Sequence, residues 1–405
     1  MAETYGIDYL RQRLGVKQHR VRLRYAYYEM KHTTFDFGIS SPPDLRRWMS
    51  TLGWCGKAVD SLADRMQFDG FREDNFDLDT IFRMNNPDTF FDSAILSALI
   101  SSCCFIYITM DDDDYPRLQV LDGSRATGII DPFTGLLTEG YAIIEEDANH
   151  NPTAEAYLTP GRTEIYRSGK LVDMVTYDMD WPLLVPIIYR PDAVRPFGHS
   201  RISRACMSIV GSAMRTVKRS EIAAEFYSYP QKYVVGLSDS AERMDKWKAT
   251  MSAMMTFSKD EDGDSPALGQ FSQQSMAPHT EQLKMFAALF AGETGLTLDD
   301  LGFVTDNPSS AEAIKASHET LRLMARKAQR NFGSGFLNAG YLAACLRDGV
   351  RYRRQQLYLT KAMWLPIFEP DASTLSLIGD GAIKLNQAAP GYMDEERLHR
   401  LTGLE

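Results

Sequence analysis

His318 and Glu319 come nearest to a catalytic or metal-binding spacing in this sequence. In an H-E-x-x-H helix, two histidines one turn apart bind Zn²⁺, but here Arg322 stands where the second histidine belongs. Gly53-Trp-Cys-Gly-Lys57 lacks the first spacing and the hydroxyl residue of a phosphate-binding P-loop. No G-x-S-x-G nucleophile turn and no dinucleotide-binding glycine pattern is present. The sequence therefore predicts no catalytic centre, no metal site and no cofactor.

Asp111–Asp114 is the densest acidic run, and its chemistry would be Ca²⁺ binding. An EF-hand loop alternates its ligands, turns at a central glycine and ends in glutamate. Here the acids are contiguous, and Tyr115-Pro116 follows them. The pattern favours a solvated hairpin tip.

Length and charge limit the function classes. A chain of 405 residues exceeds one ordinary hydrophobic core, so two or three substructures are expected. The net charge of −10 disfavours a protein that coats nucleic acid, because phosphate binding depends on clustered Lys and Arg. The same net charge is compatible with a protein that lets DNA slide past its surface.

The cysteines and the apolar runs indicate a cytoplasmic protein without a membrane anchor. The five cysteines form no C-x-x-C pair, and adjacent Cys103-Cys104 fit small buried hydrophobes. The longest apolar stretch, Ala94–Met110, is too short to span a bilayer. No basic region followed by an apolar core marks a signal peptide at the amino terminus.

Apolar periodicity predicts the elements that position these residues. Residues 1–110 are expected to be mainly helical, with helices over Asn75–Met84 and Asp88–Ile106. From Arg117 to Arg190 the period changes to two and predicts an antiparallel sheet. Its strands are expected at Leu118–Leu121, Gly140–Glu145, Glu155–Leu158, Thr163–Tyr166, Leu171–Val175 and Leu184–Tyr189.

A long helix, two short strands and another helix are expected next. The first helix runs from Ser200 to about Phe226, and strands are predicted at Tyr229–Gly236 and Leu268–Phe271. Between these strands we expect a helix over Ser240–Phe257 and an acidic loop over Lys259–Pro266.

Residues 279–333 predict a helix, a polar bend and a second helix. Leu283, Phe286, Ala287 and Phe290 make one face of His279–Gly292 apolar, and Gly292 and Gly295 are expected to end that helix. The next helix opens at Ser309-Ser-Ala-Glu312 with capping-box spacing. One face of it carries Glu312, Lys315, Glu319, Arg322, Arg326 and Arg330. Two interpretations of this face stay open. It is a salt-bridged stripe on the surface, or a row of cations that contact phosphates.

The carboxyl-terminal part reads as a set of shorter helices. Phe336–Leu346 contains Ala339, Gly340, Ala343 and Ala344, which permit close helix packing. An amphipathic helix is expected around Tyr352–Leu359, and short helices over Ala382–Gln387 and Asp394–Gly403.

Four segments, in this order, resemble portal proteins of tailed bacteriophages, in particular those of the long-tailed siphophages. The first is Asp60-Ser-Leu-Ala-Asp-Arg-Met-Gln-Phe-Asp-Gly-Phe71, and the second is Glu225-Phe-Tyr-Ser-Tyr-Pro-Gln-Lys-Tyr-Val-Val-Gly236, where Lys232 replaces a common arginine. The third is the bend from Phe290 to Ser317, and the fourth comprises Trp364 and the stretch from Ala382 to Leu404. The match runs over most of the chain, from about residue 20 to residue 404.

The resemblance implies an α+β, mainly helical portal fold with an antiparallel β wing module, long stem helices, a small clip and a short helical crown. The segments it implies are a wing at 1–198 with its β module at 115–190, a first stem helix at 199–227, a clip at 228–276, a second stem helix at 277–292, a tunnel loop at 293–308, a long wing helix at 309–346 and carboxyl-terminal wing and crown helices at 347–405.

The same resemblance implies roles for particular residues. The tunnel loop would place Thr297, Asp299, Asp300, Thr305, Asp306 and Asn307 at the DNA channel. Lys315 and Arg322 are candidate cations of the lumen. Tyr229, Gln231, Lys232 and Tyr233 would form the clip's docking surface.

The implied function is a portal protein of the virion, assembled in the host cytoplasm and without catalytic activity. The family forms rings of twelve subunits that pass double-stranded DNA into the head during packaging and out on ejection. Its partners are the large terminase subunit, head-tail adaptor or neck proteins, and the major capsid and scaffolding proteins. Two alternatives stay open, namely another head-to-tail connector or head-assembly protein, and a diverged nucleic-acid-processing enzyme.

Overall fold

The structure is a computed structural model that describes residues 4–35, 45, 47–228, 232–235, 267–270, 275–303, 311–368, 370 and 372–403. The chain divides into two units. The first comprises residues 1–32, 53–207 and 293–405, and the second comprises residues 33–52 and 208–292.

Along the described residues, eight consecutive strands separate an amino-terminal group of helices from the helices that follow. The helices are α1 (Ile7–Tyr28), α2 (Trp54–Ala63), α3 (Leu78–Arg83), α4 (Pro87–Ser101), α5 (Arg204–Ser228), α6 (Ala277–Thr294), α7 (Ala311–Ser317), α8 (Glu319–Asp348), α9 (Ala372–Ala388) and α10 (Glu395–Thr402). The strands are β1 (Phe68–Arg72), β2 (Cys103–Met110), β3 (Pro116–Leu121), β4 (Ala126–Ile130), β5 (Leu137–Glu146), β6 (Pro152–Thr159), β7 (Arg162–Arg167), β8 (Lys170–Thr176), β9 (Leu184–Ile188), β10 (Lys232–Val235), β11 (Ala267–Gln270) and β12 (Lys361–Trp364).

The predicted antiparallel sheet is confirmed in the first unit, where it forms two sheets. β4 to β8 follow one another as a five-stranded meander, and β3, β2 and β9 form a three-stranded sheet with β2 in the centre. The helix α1 covers the meander with Leu10 and Leu14, which pack against Tyr141, Ile143 and Tyr157. The chain therefore has the α+β character that its sequence pattern predicts.

The helix predicted over Asp88–Ile106 is wrong in its last turn. α4 ends at Ser101, Ser102 takes a positive φ of 92°, and Cys103 begins β2. The error has a physical cause, because β2 is buried on both faces at this end and its continuous apolar run shows no period of two. The run Asp111–Asp114 lies in the turn between β2 and β3, so the prediction of a hairpin tip is confirmed.

The helix α8 occupies the core of the first unit. Phe332, Phe336, Ala339, Leu342 and Ala343 are fully buried along it. Two glycines let neighbouring elements approach. A Cβ on Gly335 would lie 2.6 Å from Cδ1 of Ile187 in β9, and one on Gly333 would lie 2.8 Å from Cβ of Ala362 in β12. The predicted close packing of the small residues of this helix is confirmed.

Two of the portal-like segments lie beside each other in this core. β1 pairs antiparallel with β12, with Phe68 opposite Trp364. The ring of Phe68 also contacts Phe91 and Phe336 at centroid distances of 4.2 and 5.3 Å. The strand β12 corrects the amphipathic helix expected around Tyr352–Leu359, where the structure has a 3₁₀ turn at Arg354–Leu357 and then a strand.

Two further helices, α9 and α10, lie near the carboxyl end. The predicted short helix at Ala382–Gln387 is part of the longer α9. Asp394 caps α10, since its carboxylate accepts a hydrogen bond from the backbone N–H of Arg397 at 2.9 Å.

The second unit contains most of α5 and α6 together with a small hairpin. Thr216 of α5 donates a hydrogen bond to Gln282 Oε1 of α6 at 3.0 Å, and Ser50 donates one to the carbonyl of Met214 at 2.7 Å. β10 and β11 confirm the two short strands predicted there, and the structure shows that they pair antiparallel. The helix predicted over Ser240–Phe257 and the acidic loop over Lys259–Pro266 lie outside the described residues.

Candidate functional site

The bend begins where α6 ends, and only one of the two predicted glycines ends that helix. Gly292 lies inside α6, so the expectation that it breaks the helix is wrong. Gly295 takes a φ of +70°, and a Cβ there would lie 3.1 Å from Cγ2 of Thr320 and 3.2 Å from Cε of Met324. A glycine is needed at Gly295 because both the left-handed backbone and the close approach of α8 exclude a side chain.

The residues after Gly295 form a hydrogen-bonded turn. The Asp300 carboxylate accepts hydrogen bonds from the backbone N–H of Thr297 at 2.8 Å and from its hydroxyl at 2.9 Å. In return, the backbone N–H of Asp300 donates to the Thr297 hydroxyl at 3.2 Å, which is the reciprocal pattern of a capping box. Leu296 and Leu301 are buried on either side and anchor the turn in the first unit.

His318 joins this turn to the start of α8. Its Nε2 lies 3.2 Å from Oδ2 of Asp300, and its Nδ1 lies 2.9 Å from the carbonyl oxygen of Ile314. The two side chains are 12% and 17% exposed. Burial by itself would raise the pKa of Asp300, but the hydrogen bonds from Thr297 and His318 outweigh it and hold that pKa below its ordinary value.

The predicted tunnel-loop residues therefore differ in their surroundings. Thr297 and Asp300 are brought together and partly buried, whereas Asp299 is exposed. Thr305, Asp306 and Asn307 lie outside the described residues. Sequence reasoning missed His318 as the partner of Asp300, because the only signal it gave was a failed zinc motif.

The two candidate lumen cations lie on successive helices. Lys315 is exposed on α7. Arg322, on the first turn of α8, donates to both carboxylate oxygens of Glu319 at 2.6 Å, so its charge is already paired. The predicted continuous helix across this stretch is interrupted at His318, the residue that precedes α8.

A wide basic groove opens beside α8. It has a volume of about 1100 Å³, and aromatic and apolar residues such as Trp364, Pro366 and Phe368 line its floor. Its cations are Arg322, Arg326, Lys327, Arg330, Lys361 and Arg400, and no Asp or Glu is among its described lining residues. Within the described chain, Arg326, Lys327, Arg330 and Arg400 form no ion pair. A cluster of this kind attracts phosphate oxygens by releasing their counterions.

Sequence reasoning found only part of this groove. The helical spacing of the charges singled out Arg326 and Arg330, but it gave no reason to add Lys361 or Arg400. Those two residues follow α8 by more than a dozen positions and reach the groove only because β12 and α10 fold back toward that helix.

The predicted docking residues lie on or beside the β10–β11 hairpin. Lys232 is opposite Gln270, and Tyr233 is opposite Gly269. A Cβ on Gly269 would lie 2.2 Å from the Tyr233 ring, so the absence of a side chain there lets the tyrosine lie across the hairpin. Tyr229 and Gln231 lie outside the described residues.

The described residues contain no group of three His, Cys, Asp or Glu side chains arranged to hold a metal ion. All five cysteines are unpaired and buried, and burial raises the pKa of the Cys103 thiol to about 11. The expectation that Cys103 and Cys104 behave as small buried hydrophobes is confirmed. None of the helices in the described ranges has the length and apolar character needed to cross a membrane.

Two curated relatives match this chain over nearly its whole length, and both are named portal protein. The one from Mycobacterium phage D29 is 24% identical over 411 residues, which cover 96% of this chain and 83% of the relative. The one from Mycobacterium phage L5 is 23% identical over 403 residues, which cover 92% and 80%. No family model matches the chain. The resemblance to phage portal proteins read from the sequence is confirmed by these relatives.

Solved structures of gene transfer agent particles are also similar. The neck of an empty particle computed with C6 symmetry aligns with a TM-score of 0.48 at 14% identity, over 91% of this chain and 95% of the other. The virion of a native particle aligns with a TM-score of 0.46 at 13% identity, over 95% and 99%.

Proposed function

We propose that this chain, a relative of the phage portal proteins, is the subunit of the portal ring at one vertex of a phage head. Copies of it surround a channel that double-stranded DNA enters during packaging and leaves on infection. The observation that carries this proposal is the match to two portal proteins across 92–96% of the chain. The match includes the helix–bend–helix stretch from α6 to α8, which has the character of a mechanical element and not of a catalytic pocket.

The ring requires each copy to present two different faces to its neighbours, since closed cyclic symmetry makes the contact heterologous. The exposed side of α6 supports one such face. Met285 and Leu289 lie one turn apart on it and are 50% and 54% exposed. Two large apolar side chains in this position suit packing against a neighbouring copy, and the twelve-fold ring of the family supplies that neighbour.

The partners follow from the portal role. The clip, with Tyr229, Gln231, Lys232 and Tyr233, docks the large terminase subunit during packaging and the head-tail adaptor or neck proteins afterwards. Major capsid and scaffolding proteins surround the wing. The exposed Tyr233 and Val235 of β10 support a docking surface at this hairpin.

The tunnel loop and the basic helix together form the part that meets DNA. The turn at 295–303, held by Asp300 and His318, belongs to this loop, and the loop acts as a valve in the channel. Because Glu319 already pairs with Arg322, the cations best suited to touch phosphates are Arg326 and Arg330.

Replacing residues 304–308 with a Gly-Ser segment of equal length tests the valve. The substitution keeps the anchors Leu296, Asp300 and Leu301, so we expect rings of unchanged size and loss of packaged DNA from filled heads. DNA retention equal to that of the unmodified chain would refute the valve role. It would not contradict the proposed ring.

We also propose that the chain hydrolyses no nucleotide and cuts no DNA, since a separate terminase ATPase supplies the energy for translocation. An ATPase and nuclease assay with Mg²⁺ on the purified protein separates a portal from a diverged enzyme. Turnover that copurifies with the ring would contradict this part of the proposal.

Negative-stain imaging with native mass measurement tests the central proposal. We expect rings with an open central hole and a uniform subunit number. A monomer that persists at high protein concentration would overturn the ring, and compact particles without a hole would favour a different head-assembly protein.

A further inference from the structure

The helix α1 carries a row of four cations that the portal role leaves unexplained. Arg13, Lys17, Arg20 and Arg24 follow one another at steps of four, three and four residues, so they lie on one face of the helix. Its buried positions Leu10, Leu14 and Val21 lie beside this row. Like charges at such spacings destabilise a helix.

These cations converge on a pocket of about 350 Å³ between α1, the start of β2 and the loop at 191–198. Arg195 adds a fifth positive charge, and no carboxylate is among the described residues that line the pocket. The Lys17 ammonium lies 4.7 Å above the centre of the Phe197 ring, and the Arg13 guanidinium lies 5.6 Å from it. Arg24 donates a hydrogen bond to the carbonyl of Ser101 at 2.7 Å.

The carboxylates near the pocket, Asp192 and Asp122, already accept hydrogen bonds from other groups. Asp192 accepts hydrogen bonds from His199 at 2.5 Å and from the backbone N–H of Arg195 at 2.7 Å. Asp122 is held by the Ser124 hydroxyl at 2.8 Å, and burial raises its pKa. In the described part of the chain, Arg13, Lys17 and Arg20 form no ion pair. Burial, with the charges of Arg13 and Arg20, lowers the pKa of Lys17 to about 8.

A concave cluster of unpaired cations around an aromatic floor is a site for an anion. A pocket of about 350 Å³ is too small to admit a DNA duplex. A short acidic loop is small enough to enter, and charge-assisted hydrogen bonds from guanidinium groups would hold its carboxylates.

The tip of the β2–β3 hairpin has the complementary chemistry. Asp112, Asp113 and Asp114 are consecutive and exposed, and none of them forms an ion pair within the described residues. Only their neighbour Asp111 is paired, with Arg117 at 2.7 Å. The turn is narrow because the backbone N–H of Asp114 donates to the Asp111 carbonyl at 3.2 Å.

The strand β2 places the tip and the pocket at its opposite ends. Cys103 and Phe105 line the pocket, whereas the tip follows Met110 at the end of this eight-residue strand. Eight strand residues span about 25 Å, so the tip of one copy cannot reach the pocket of the same copy. A contact between them joins different faces of two copies, and contacts of that kind close into rings.

We propose that the α1 pocket receives the Asp112–Asp114 tip of a neighbouring copy, as an electrostatic contact between adjacent subunits. This inference rests on the proposed ring, which supplies a neighbour at each face. It adds a named pair of surfaces to that ring and assigns a ligand class, a carboxylate-rich loop, to a pocket that otherwise holds unpaired charge.

A peptide assay tests the pocket without requiring a ring. The probe is a cyclised peptide of residues 108–118, and its control carries asparagine at 112–114. We expect the acidic peptide to bind the full chain at low salt and the control not to bind. Lys17→Met should weaken binding on the order of tenfold, the loss of one charge-assisted contact.

The same variant separates a lost contact from a lost fold. Removing a half-buried, unpaired cation should raise the melting temperature of Lys17→Met or leave it unchanged. Weaker peptide binding with an undiminished melting temperature supports the proposal. Binding of the acidic and asparagine peptides with equal affinity would overturn it, as would a Lys17-dependent site that takes a single-stranded oligonucleotide and not the acidic peptide.

Cross-linking tests the contact in the assembled protein. Val194→Cys at the pocket and Asp113→Cys at the tip, in one chain, should give a ladder of linked subunits with a short bismaleimide reagent. The control pairs Val194→Cys with Phe133→Cys, at the exposed turn between β4 and β5. Rings on micrographs without a ladder would refute this contact while the portal proposal stands. If no rings form, the portal proposal fails. The peptide assay alone then shows whether the α1 pocket binds the acidic loop.

Discussion

At the scale of single residues, the carboxylate of Asp300 holds the bend together. It receives two hydrogen bonds from Thr297 and lies 3.2 Å from Nε2 of His318. The other ring nitrogen of His318 faces the carbonyl of Ile314, so both nitrogens face acceptors. One acidic side chain therefore ties the end of α6 to the beginning of α8.

Asp300→Asn should destabilise the first unit by about 1–3 kcal/mol, because the amide cannot replace the charged acceptor that three donors share. The pKa of Asp300 is lowered in the folded protein, so its contribution is complete above the unfolded value of about 3.9. That contribution is lost only as the pH falls through the lower, folded pKa. The difference in urea midpoint between the variant and the unmodified chain should therefore stay constant from pH 7 to pH 5 and shrink below about pH 4.

Asp299→Asn is the matched control, since Asp299 is the exposed neighbour in the same turn. It should leave the urea midpoint nearly unchanged at every pH. An equal effect of the two substitutions would show that the carboxylate of Asp300 has no special role.

The residues of this bend show which features of the site could be predicted from the sequence. Asp299, Asp300 and Gly295 predicted a bend, and Gly295 ends α6 as its backbone freedom predicted. The partner of Asp300 could not be predicted, because His318 lies 18 residues away and is brought close only by the folded path between α6 and α8. The α1 pocket could not be predicted for the same reason. Its cations are spaced regularly in the sequence, but the aromatic side chain of Phe197 comes from a distant loop.

At the scale of elements, the two glycines near the end of α6 have opposite structural roles. Gly292 lies within the helix and has no atom within 4 Å of an added Cβ, whereas Gly295 has a positive φ and lies against α8. The sequence treated both as helix breakers. It could not distinguish them, because the difference depends on which residue meets Thr320 and Met324.

Gly295→Ala should destabilise the protein by about 1–3 kcal/mol, since alanine meets both backbone strain and the side chains of α8. Gly292→Ala is the matched control three residues earlier. It should stabilise the protein by about 0.5–1 kcal/mol, because alanine restricts the unfolded chain and fits the helix. Thermal unfolding of the two variants measures the difference, and effects of the same sign would contradict these assigned roles.

The boundary between α4 and β2 shows a second limit at this scale. The apolar run from Ala94 to Met110 has no charge that could separate a buried helix from a buried strand. The switch occurs at Ser102, whose positive φ is not signalled by a glycine or a proline. Strand β3 was predicted because one of its faces, with Arg117 and Gln119, meets solvent and alternates with Leu118 and Val120. Strand β2 has no such face over most of its length.

At the scale of the whole molecule, the basic groove beside α8 gives a test of DNA contact. A chain with a net charge of −10 concentrates six cations there, and four of them form no ion pair in the described structure. We expect Arg326→Gln with Arg330→Gln to lower duplex affinity of the assembled ring. The slope of log affinity against log salt should fall by about two if each arginine releases one counterion.

The control for this pair is Arg351→Gln, whose guanidinium pairs with Asp178 and Asp180 at another surface. It should leave the salt slope unchanged. Identical slopes for the double variant and the unmodified ring would show that DNA does not touch the groove.

The exposed side of α6 gives the last test, because it separates assembly from folding. Leu289 has about half its surface exposed in the single chain, so glutamate there meets water and should leave the melting temperature of the monomer within about 2 °C. In a ring the same carboxylate would be buried against a neighbouring copy without a partner, at a cost of several kcal/mol. Leu289→Glu should therefore yield folded monomers where the unmodified chain yields rings, as measured by light scattering after gel filtration. Phe133→Glu, at the exposed turn between β4 and β5, serves as the control and should assemble normally. Rings formed by the Leu289 variant at the usual concentration would remove α6 from the contact between subunits.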